Sequence, residues 1–179
     1  MNVLSLFDGM SCGQLALKKL GIKVDNYFAS EIDKHAISVT QANFPNTKQV
    51  GDVTELDIST LPKIDLIMGG SPCQGFSFAG KQLNFDDPRS KLFFDYVKIL
   101  DQVRKANPNV KFLLENVRMK KEYLSVISEA LGVEPVMINS NLVSAQNRIR
   151  YYWTNLPTPS QPEDKEILLR DIVHEKTDL

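Results

Sequence analysis

The sequence predicts an α/β fold built on a mostly parallel sheet with a final antiparallel strand. Three observations predict it. Short apolar runs alternate with stretches of helical spacing, the signature of strand–helix–strand units. Polar residues close those runs one after another: Asp8, Glu31, Asp52 and Glu115 each stand at the end of one. The last two runs, "PVMINSNLV" and "RIRYYWTNL", read as a final pair of strands.

The elements follow in order. "NVLSLF" (Asn2 to Phe7) is the first strand, and "GQLALKKLG" the helix after it, stopped by Gly21. "NYFASEI" is the second strand, followed by a helix from Asp33 towards Phe44. "TKQVGDV" is a short third strand and "KIDLIMGG" a fourth. From Arg89 to Ala106, the spacing of Leu92, Phe93, Tyr96, Val97, Leu100 and Val103 is helical. "VKFLLENV" is the fifth strand, and Tyr123 to Leu131 lies in a helix that ends at Gly132. After Leu156, the prolines at 157, 159 and 162 mark an exit linker, so residues 1–157 are expected to form one domain and 158–179 to lead away from it.

Composition sets bounds on function. A chain of 179 residues with 42% hydrophobic and 24% charged residues can bury one domain's core. No apolar run approaches the ~20 residues needed to span a bilayer, so no membrane partner is expected. The N-terminus lacks the basic head and apolar body of a secretory signal. Cys12 and Cys73 make no disulfide framework, which favours a reducing interior: cytoplasmic in a prokaryote, nuclear in a eukaryote. Two histidines and two cysteines, widely scattered, give no metal-ligand spacing. The net charge of -1 argues against a strongly basic surface but leaves room for a local basic groove.

In open α/β sheets, ligands sit at the carboxyl ends of the strands. Here those ends carry Phe7-Asp8-Gly9, Glu31, Asp52, the run from Gly69 to Cys73, and Glu115-Asn116. Each has an ordinary reading. "FDGMSCG" is glycine-poor beside a dinucleotide fingerprint, Glu31 and Asp52 could be capping or turn residues, and an isolated cysteine is as often inert as reactive. Glu115 is harder to dismiss, because a carboxylate interrupting "FLLENV" is costly to bury unless it is paired or protonated. Cys73 follows a proline in a glycine-bearing turn, where a sulfur can meet a substrate. Jointly and in this order, the residues point to a site.

In the same order they resemble the DNA cytosine carbon-5 methyltransferases, from Val3 to about Leu156. "FDGMSCG" is similar to that family's first cofactor motif, "SPCQGFSFAG" to its Pro-Cys loop, "LENV" to its Glu-Asn-Val motif and "QNRIRYYW" to its arginine motif. "DDPRSKLFFDYVKIL" resembles the helix whose leading residues border the cofactor. The resemblance implies a Rossmann-like S-adenosylmethionine-dependent fold that methylates carbon 5 of cytosine in double-stranded DNA. It makes Cys73 the nucleophile for carbon 6, Glu115 the holder of nitrogen 3 and the amino group, Arg150 the partner of the ring carbonyl, and Arg148 a brace for the loop and the carboxylate. For S-adenosylmethionine it implies Phe7, Asp8, Gly9 and Gly13 around the methionine portion. Glu31 would take the ribose, Ile32 the adenine and Asp52 the adenine amino group, with Val53, Pro72 and Leu92 completing the pocket.

Chemistry supports those roles. Carbon 5 of cytosine is too weak a nucleophile unaided, and thiolate addition at carbon 6 splits one hard step into easier ones. The target base must first leave the stack, at a cost of about a few kcal/mol. Gly75 and Gly80 flank a loop able to close over it, and Lys81, Arg89 and Lys91 could meet phosphates. The family continues into a recognition domain, and nothing after Leu156 resembles one, so a further recognition segment or a partner subunit is expected. An RNA (tRNA) cytosine methyltransferase and a non-catalytic, cofactor-binding accessory subunit are the alternative readings.

Overall fold

The computed structural model describes residues 1–72 and 88–173, and for residues 88–90 the backbone alone. Its strands are β1 (Asn2–Leu6), β2 (Asn26–Ser30), β3 (Lys48–Gln49), β4 (Leu66–Gly69), β5 (Lys111–Val117), β6 (Val136–Asn139) and β7 (Ile149–Thr154). The helices are α1 (Cys12–Lys19), α2 (Lys34–Asn43), α3 (Pro88–Ala106), α4 (Lys121–Leu131) and the short α5 (Leu169–Ile172).

One seven-stranded sheet has the order β3-β2-β1-β4-β5-β7-β6. The pairings from β3 through β5 are parallel, and β7 runs antiparallel to both β5 and β6. This is the Rossmann-like arrangement the sequence predicts. The chain steps outward from β1 to β3, then crosses back to place β4 on the other side of β1. That reversal opens a crevice at the carboxyl ends of β1 and β4.

The apolar runs form strands because both faces of the sheet are covered where they lie. In β1, Leu4 and Leu6 belong to one buried cluster with Phe93, Tyr96 and Leu100 of α3 and Ile127 of α4. Val3 joins a second cluster with Leu17 of α1, Tyr27, Ala29, Leu66 and Met68. In β5, Phe112, Leu114 and Asn116 are buried, while Leu113, Glu115 and Val117 are half-buried, a strict period of two. α2 starts where Asp33 accepts from the amides of His35 (2.7 Å) and Ala36 (3.2 Å), an N-cap. α4 stops at Gly132, whose φ of 72° suits a residue without Cβ.

Boundaries differ from the expectation where local hydrogen bonds compete with the sheet. The third strand keeps two paired residues, opposite Phe28 and Ala29, because Asp52 caps a 3-10 turn at Val53–Glu55 by accepting from the Thr54 amide. The sixth strand ends at Asn139, whose side chain accepts from the Asn141 amide and starts a turn at Ser140–Leu142. The segment after Leu156 is tied back to the domain: the Lys165 amide donates to Leu142 O (2.8 Å) and Gln161 Nε2 to Met137 O (2.7 Å). No described helix is long and apolar enough to cross a membrane.

Candidate active site

A cavity of about 320 Å³ opens at the carboxyl ends of β1 to β4. Phe7, Glu31, Ile32, Asp52, Val53, Pro72 and Leu92, seven of the residues the sequence nominated, line it, together with Ser30 and Thr54. Ile32 is 69% exposed, an apolar side chain left open on the cavity wall. Sequence reasoning missed Ser30, whose hydroxyl donates to Gly51 O (2.8 Å) and ties the ends of β2 and β3 together. It also missed Thr54, whose hydroxyl donates to Asp52 Oδ1 (2.9 Å) and fixes that carboxylate at the rim. Both are small polar residues with no pattern of their own.

Glu31 is held by backbone. Its Oε2 accepts from the Gly9 amide (2.8 Å), and its Oε1 from the amides of Ile32 (2.8 Å) and Asp33 (2.9 Å). The loop it grips is unusual: Phe7, Gly9 and Ser11 have φ of 56°, 59° and 59°, the left-handed region. Asp8 does not line the cavity. Its carboxylate accepts from Tyr27 OH (2.8 Å) and from the Ser11 hydroxyl. Gly9 and Gly13 also lie off the cavity wall. A Cβ at Gly13 would meet Met68 Cε at 2.8 Å and Tyr27 OH at 3.4 Å, so this glycine lets α1 approach the sheet.

The second group of nominated residues gathers at the end of β5. Glu115 Oε1 and Arg150 Nε lie 2.7 Å apart in an ion pair, with Glu115 34% and Arg150 17% exposed. The pair is charge contact more than aligned hydrogen bond, since the Arg150 Nε–H finds no well-directed acceptor. Arg150 Nη1 donates instead to Ile149 O (2.8 Å). Register explains the meeting: Arg150 stands opposite Val117 and Tyr152 opposite Glu115, so these four share one face of the sheet. Burial raises the Tyr152 phenol above its ordinary range, the Glu115 charge adds to that, and Arg150 and Arg148 oppose it. Arg148 is exposed, and its backbone is anchored through Asn139 Oδ1, which accepts from its amide (3.0 Å).

Two glycines of β4's end make room. A Cβ at Gly70 would lie 3.0 Å from Glu115 Oε2, and one at Gly69 would lie 2.8 Å from Leu6 O. On the opposite face of β5, buried Asn116 donates to Ser71 Oγ (3.3 Å) and Ser71 O (3.4 Å). Ser71, which sequence reasoning passed over, thereby binds the start of the Pro-Cys loop to β5. Pro72 reaches the cavity wall. Cys73, Gly75, Gly80 and Lys81 lie outside the described residues, as does the side chain of Arg89; Lys91 is exposed.

Comparison with known proteins adds to this geometry. A family model described as C-5 cytosine-specific DNA methylase matches residues 1–166. The chain is 40% identical over 166 residues to the type II methyltransferase M.HgiCI of Herpetosiphon aurantiacus, covering 87% of this chain and 38% of that protein. It is 40% identical over 176 residues to the type II methyltransferase M.NgoBV of Neisseria gonorrhoeae, covering 86% and 41%. It is 36% identical over 165 residues to the orphan methyltransferase M.SPRI of Bacillus phage SPR, covering 85% and 37%. The chain therefore spans 37–41% of the length of these relatives. A crystal structure of a Spodoptera frugiperda DNMT2 variant superposes with a TM-score of 0.66 at 27% identity, covering 99% of this chain and 60% of that one.

Proposed function

The chain belongs to the C-5 cytosine-specific DNA methylase family, and from that premise we propose that it transfers a methyl group from S-adenosylmethionine to carbon 5 of cytosine in double-stranded DNA. The observation that carries this reading is the Glu115–Arg150 ion pair, set where the ends of β4 and β5 meet. Gly70 packs against that pair, and two residues on, Pro72 lines the cavity. On this reading the base sits at the ion pair and the cofactor in the cavity, with the short stretch that leads into Cys73 between them.

The cavity's chemistry suits S-adenosylmethionine. About 320 Å³ is at the small end of ligand pockets. Phe7, Ile32, Val53, Pro72 and Leu92 offer apolar surface to an adenine ring, and Glu31 and Asp52 offer acceptors for ribose hydroxyls and an amino group. The cofactor, when bound, supplies an electrophilic methyl group. The chain's own residues prepare the acceptor. The Cys73 thiolate adds to carbon 6 of a flipped-out cytosine, and carbon 5 gains nucleophilic character. Glu115 holds nitrogen 3 and the amino group while that charge develops, and Arg150, fixed by Glu115 and Ile149 O, meets the ring carbonyl. After methylation, loss of the carbon 5 proton and departure of the thiolate restore the ring.

The deciding experiment follows label from S-adenosylmethionine into unmethylated duplex DNA and into transfer RNA, with Cys73→Ala and Glu115→Gln alongside. Label in duplex cytosine that is lost with Cys73→Ala supports the reading. Label in transfer RNA alone reassigns the substrate. Full activity of Cys73→Ala refutes the covalent route. Binding of S-adenosylmethionine with no transfer to either nucleic acid calls for the same assay on a longer chain or with a partner subunit added; transfer restored there keeps the reading, and transfer still absent favours an accessory subunit.

A further inference from the structure

We infer that Asp8 and Tyr27 are positioning residues for cofactor binding: they lock the β1–α1 loop in the strained form that turns Phe7 into the cavity. The inference rests on the cofactor reading of that cavity. It starts from backbone conformation. Phe7 and Ser11 occupy the left-handed region with φ of 56° and 59°. Neither is glycine, and such conformations persist only where surrounding structure over-determines them. Gly9 between them has φ of 59°, so left-handed residues recur at every second position.

The constraint is visible residue by residue. Asp8 lies inside this run, and its two carboxylate oxygens reach in different directions. One accepts from the Ser11 hydroxyl, which closes the loop on itself; the other accepts from Tyr27 OH at 2.8 Å, which ties the loop to β2. Tyr27 is 3% exposed and Ser11 fully buried. Burial, then the neighbouring Asp8 charge, holds the Tyr27 phenol above its ordinary range, so the hydroxyl stays a donor across the working pH. Thr40 of α2 completes the hold by donating to Gly9 O and Ser11 Oγ, each at 3.3 Å. A strand, a helix and the loop's own serine therefore converge on five residues, and the first of these lines the cavity. Asp8 would then act through the loop, with no contact to the cofactor, and Tyr27 would act through Asp8.

Calorimetric titration of the 179-residue chain with S-adenosylmethionine tests this. Tyr27→Phe removes one oxygen buried far from solvent, and its Kd should rise roughly tenfold, since a hydrogen bond to a charged acceptor is lost. Asp8→Ala should weaken binding at least as much, and the Asp8→Ala/Tyr27→Phe double variant no further, because both act through one contact. Asp8→Asn should restore most of the affinity lost in Asp8→Ala, since its amide oxygen still accepts from Tyr27 and its NH₂ can donate to Ser11. Additive losses would mean that Tyr27 acts independently of Asp8, and an Asp8→Asn as weak as Asp8→Ala would mean that the carboxylate charge itself is what the cofactor needs; either result would overturn the inference. So would a Tyr27→Phe that binds within about twofold of the unaltered chain. Should Tyr27→Phe melt below the titration temperature, the Asp8→Asn against Asp8→Ala comparison decides. No binding by the unaltered chain would reject the cofactor reading itself, and the positioning role with it.

Discussion

Gly69 and Gly70 are adjacent, yet alanine at the two positions should do different kinds of damage. A Cβ at Gly69 would sit 2.8 Å from Leu6 O and 3.1 Å from the Tyr96 ring. The first is backbone of a central strand and the second a fully buried side chain, so neither yields cheaply. Overpacking of this kind costs about 1–3 kcal/mol, offset by about 0.5–1 kcal/mol from the reduced freedom of the unfolded chain. A net loss of about 1–2 kcal/mol in a domain this size lowers the melting midpoint by roughly 3–6 °C. At Gly70 the obstacle is Glu115 Oε2 at 3.0 Å, the tip of a side chain that can move. Stability should change by less than about 0.5 kcal/mol there, as for a site with no large strain. The carboxylate, however, must shift by a few tenths of an ångström against Arg150. Since a misplacement of ~1 Å costs about a hundredfold, single-turnover methyl transfer should fall roughly three- to tenfold. Thermal melts and single-turnover rates on the same samples provide the check. A Gly69→Ala protein that melts with the unaltered chain refutes the steric argument at that position. A Gly70→Ala protein that loses stability and keeps its rate refutes the assignment of Glu115's carboxylate to the chemistry.

Other consequences can be read from contacts already described. Trp153→Phe removes the indole donor to Ser128 Oγ (3.0 Å) in the β7–α4 interface, and should destabilise the domain by about 1–3 kcal/mol in urea titrations, through a lost buried hydrogen bond and a small void. Arg150→Lys keeps the charge and loses the second donor arm that fixes it to Ile149 O; transfer should drop by at least about tenfold with little change in the melting midpoint. Asp33 has its carboxyl held below the ordinary 3.8 by the amides of Ala36 and then His35. Its stabilising effect is therefore complete above the unfolded-state value and is lost as pH falls through the lower folded value. The difference in melting midpoint between the unaltered chain and Asp33→Ala should be constant near neutrality and narrow below about pH 4.

Much of this was legible in the sequence because β1, β2 and β4 are buried on both faces and β5 on one. "NVLSLF", "NYFASEI" and "VKFLLENV" are continuous apolar runs, and each ends at the residue where the sheet meets the crevice. Residues at those ends face the crevice through chain geometry alone, which is why Phe7, Glu31, Asp52 and Pro72 could be named beforehand and are found around one cavity. What could not be read was the direction of a side chain inside a turn. Asp8 is one residue from Phe7 and its carboxylate turns to Tyr27 instead. Tyr27 itself was invisible, since a tyrosine in an apolar strand looks like any core residue until its hydroxyl finds a charged partner. The third and sixth strands came out shorter than expected for a related reason: Asp52 and Asn139 offer their own side chains to the backbone, an option that periodicity does not reveal.

Glu115 and Asn116 are consecutive in β5 and face opposite sides of the sheet, the first toward Arg150 and the second toward Ser71. The strand acts as a partition with the ion pair on one side and the tether to Ser71 on the other. This makes the segment unforgiving to insertions and deletions in a way it is not to substitutions. Adding or removing a single residue between Lys111 and Glu115 would exchange the two sides, driving a carboxylate into the core beside Leu114's neighbours and exposing the amide that anchors the loop. A second single-residue change in the same strand would be needed to restore the faces. Variation in length should therefore be carried by the connections around β5, such as the turn at Asn107–Val110, and not by the strand itself.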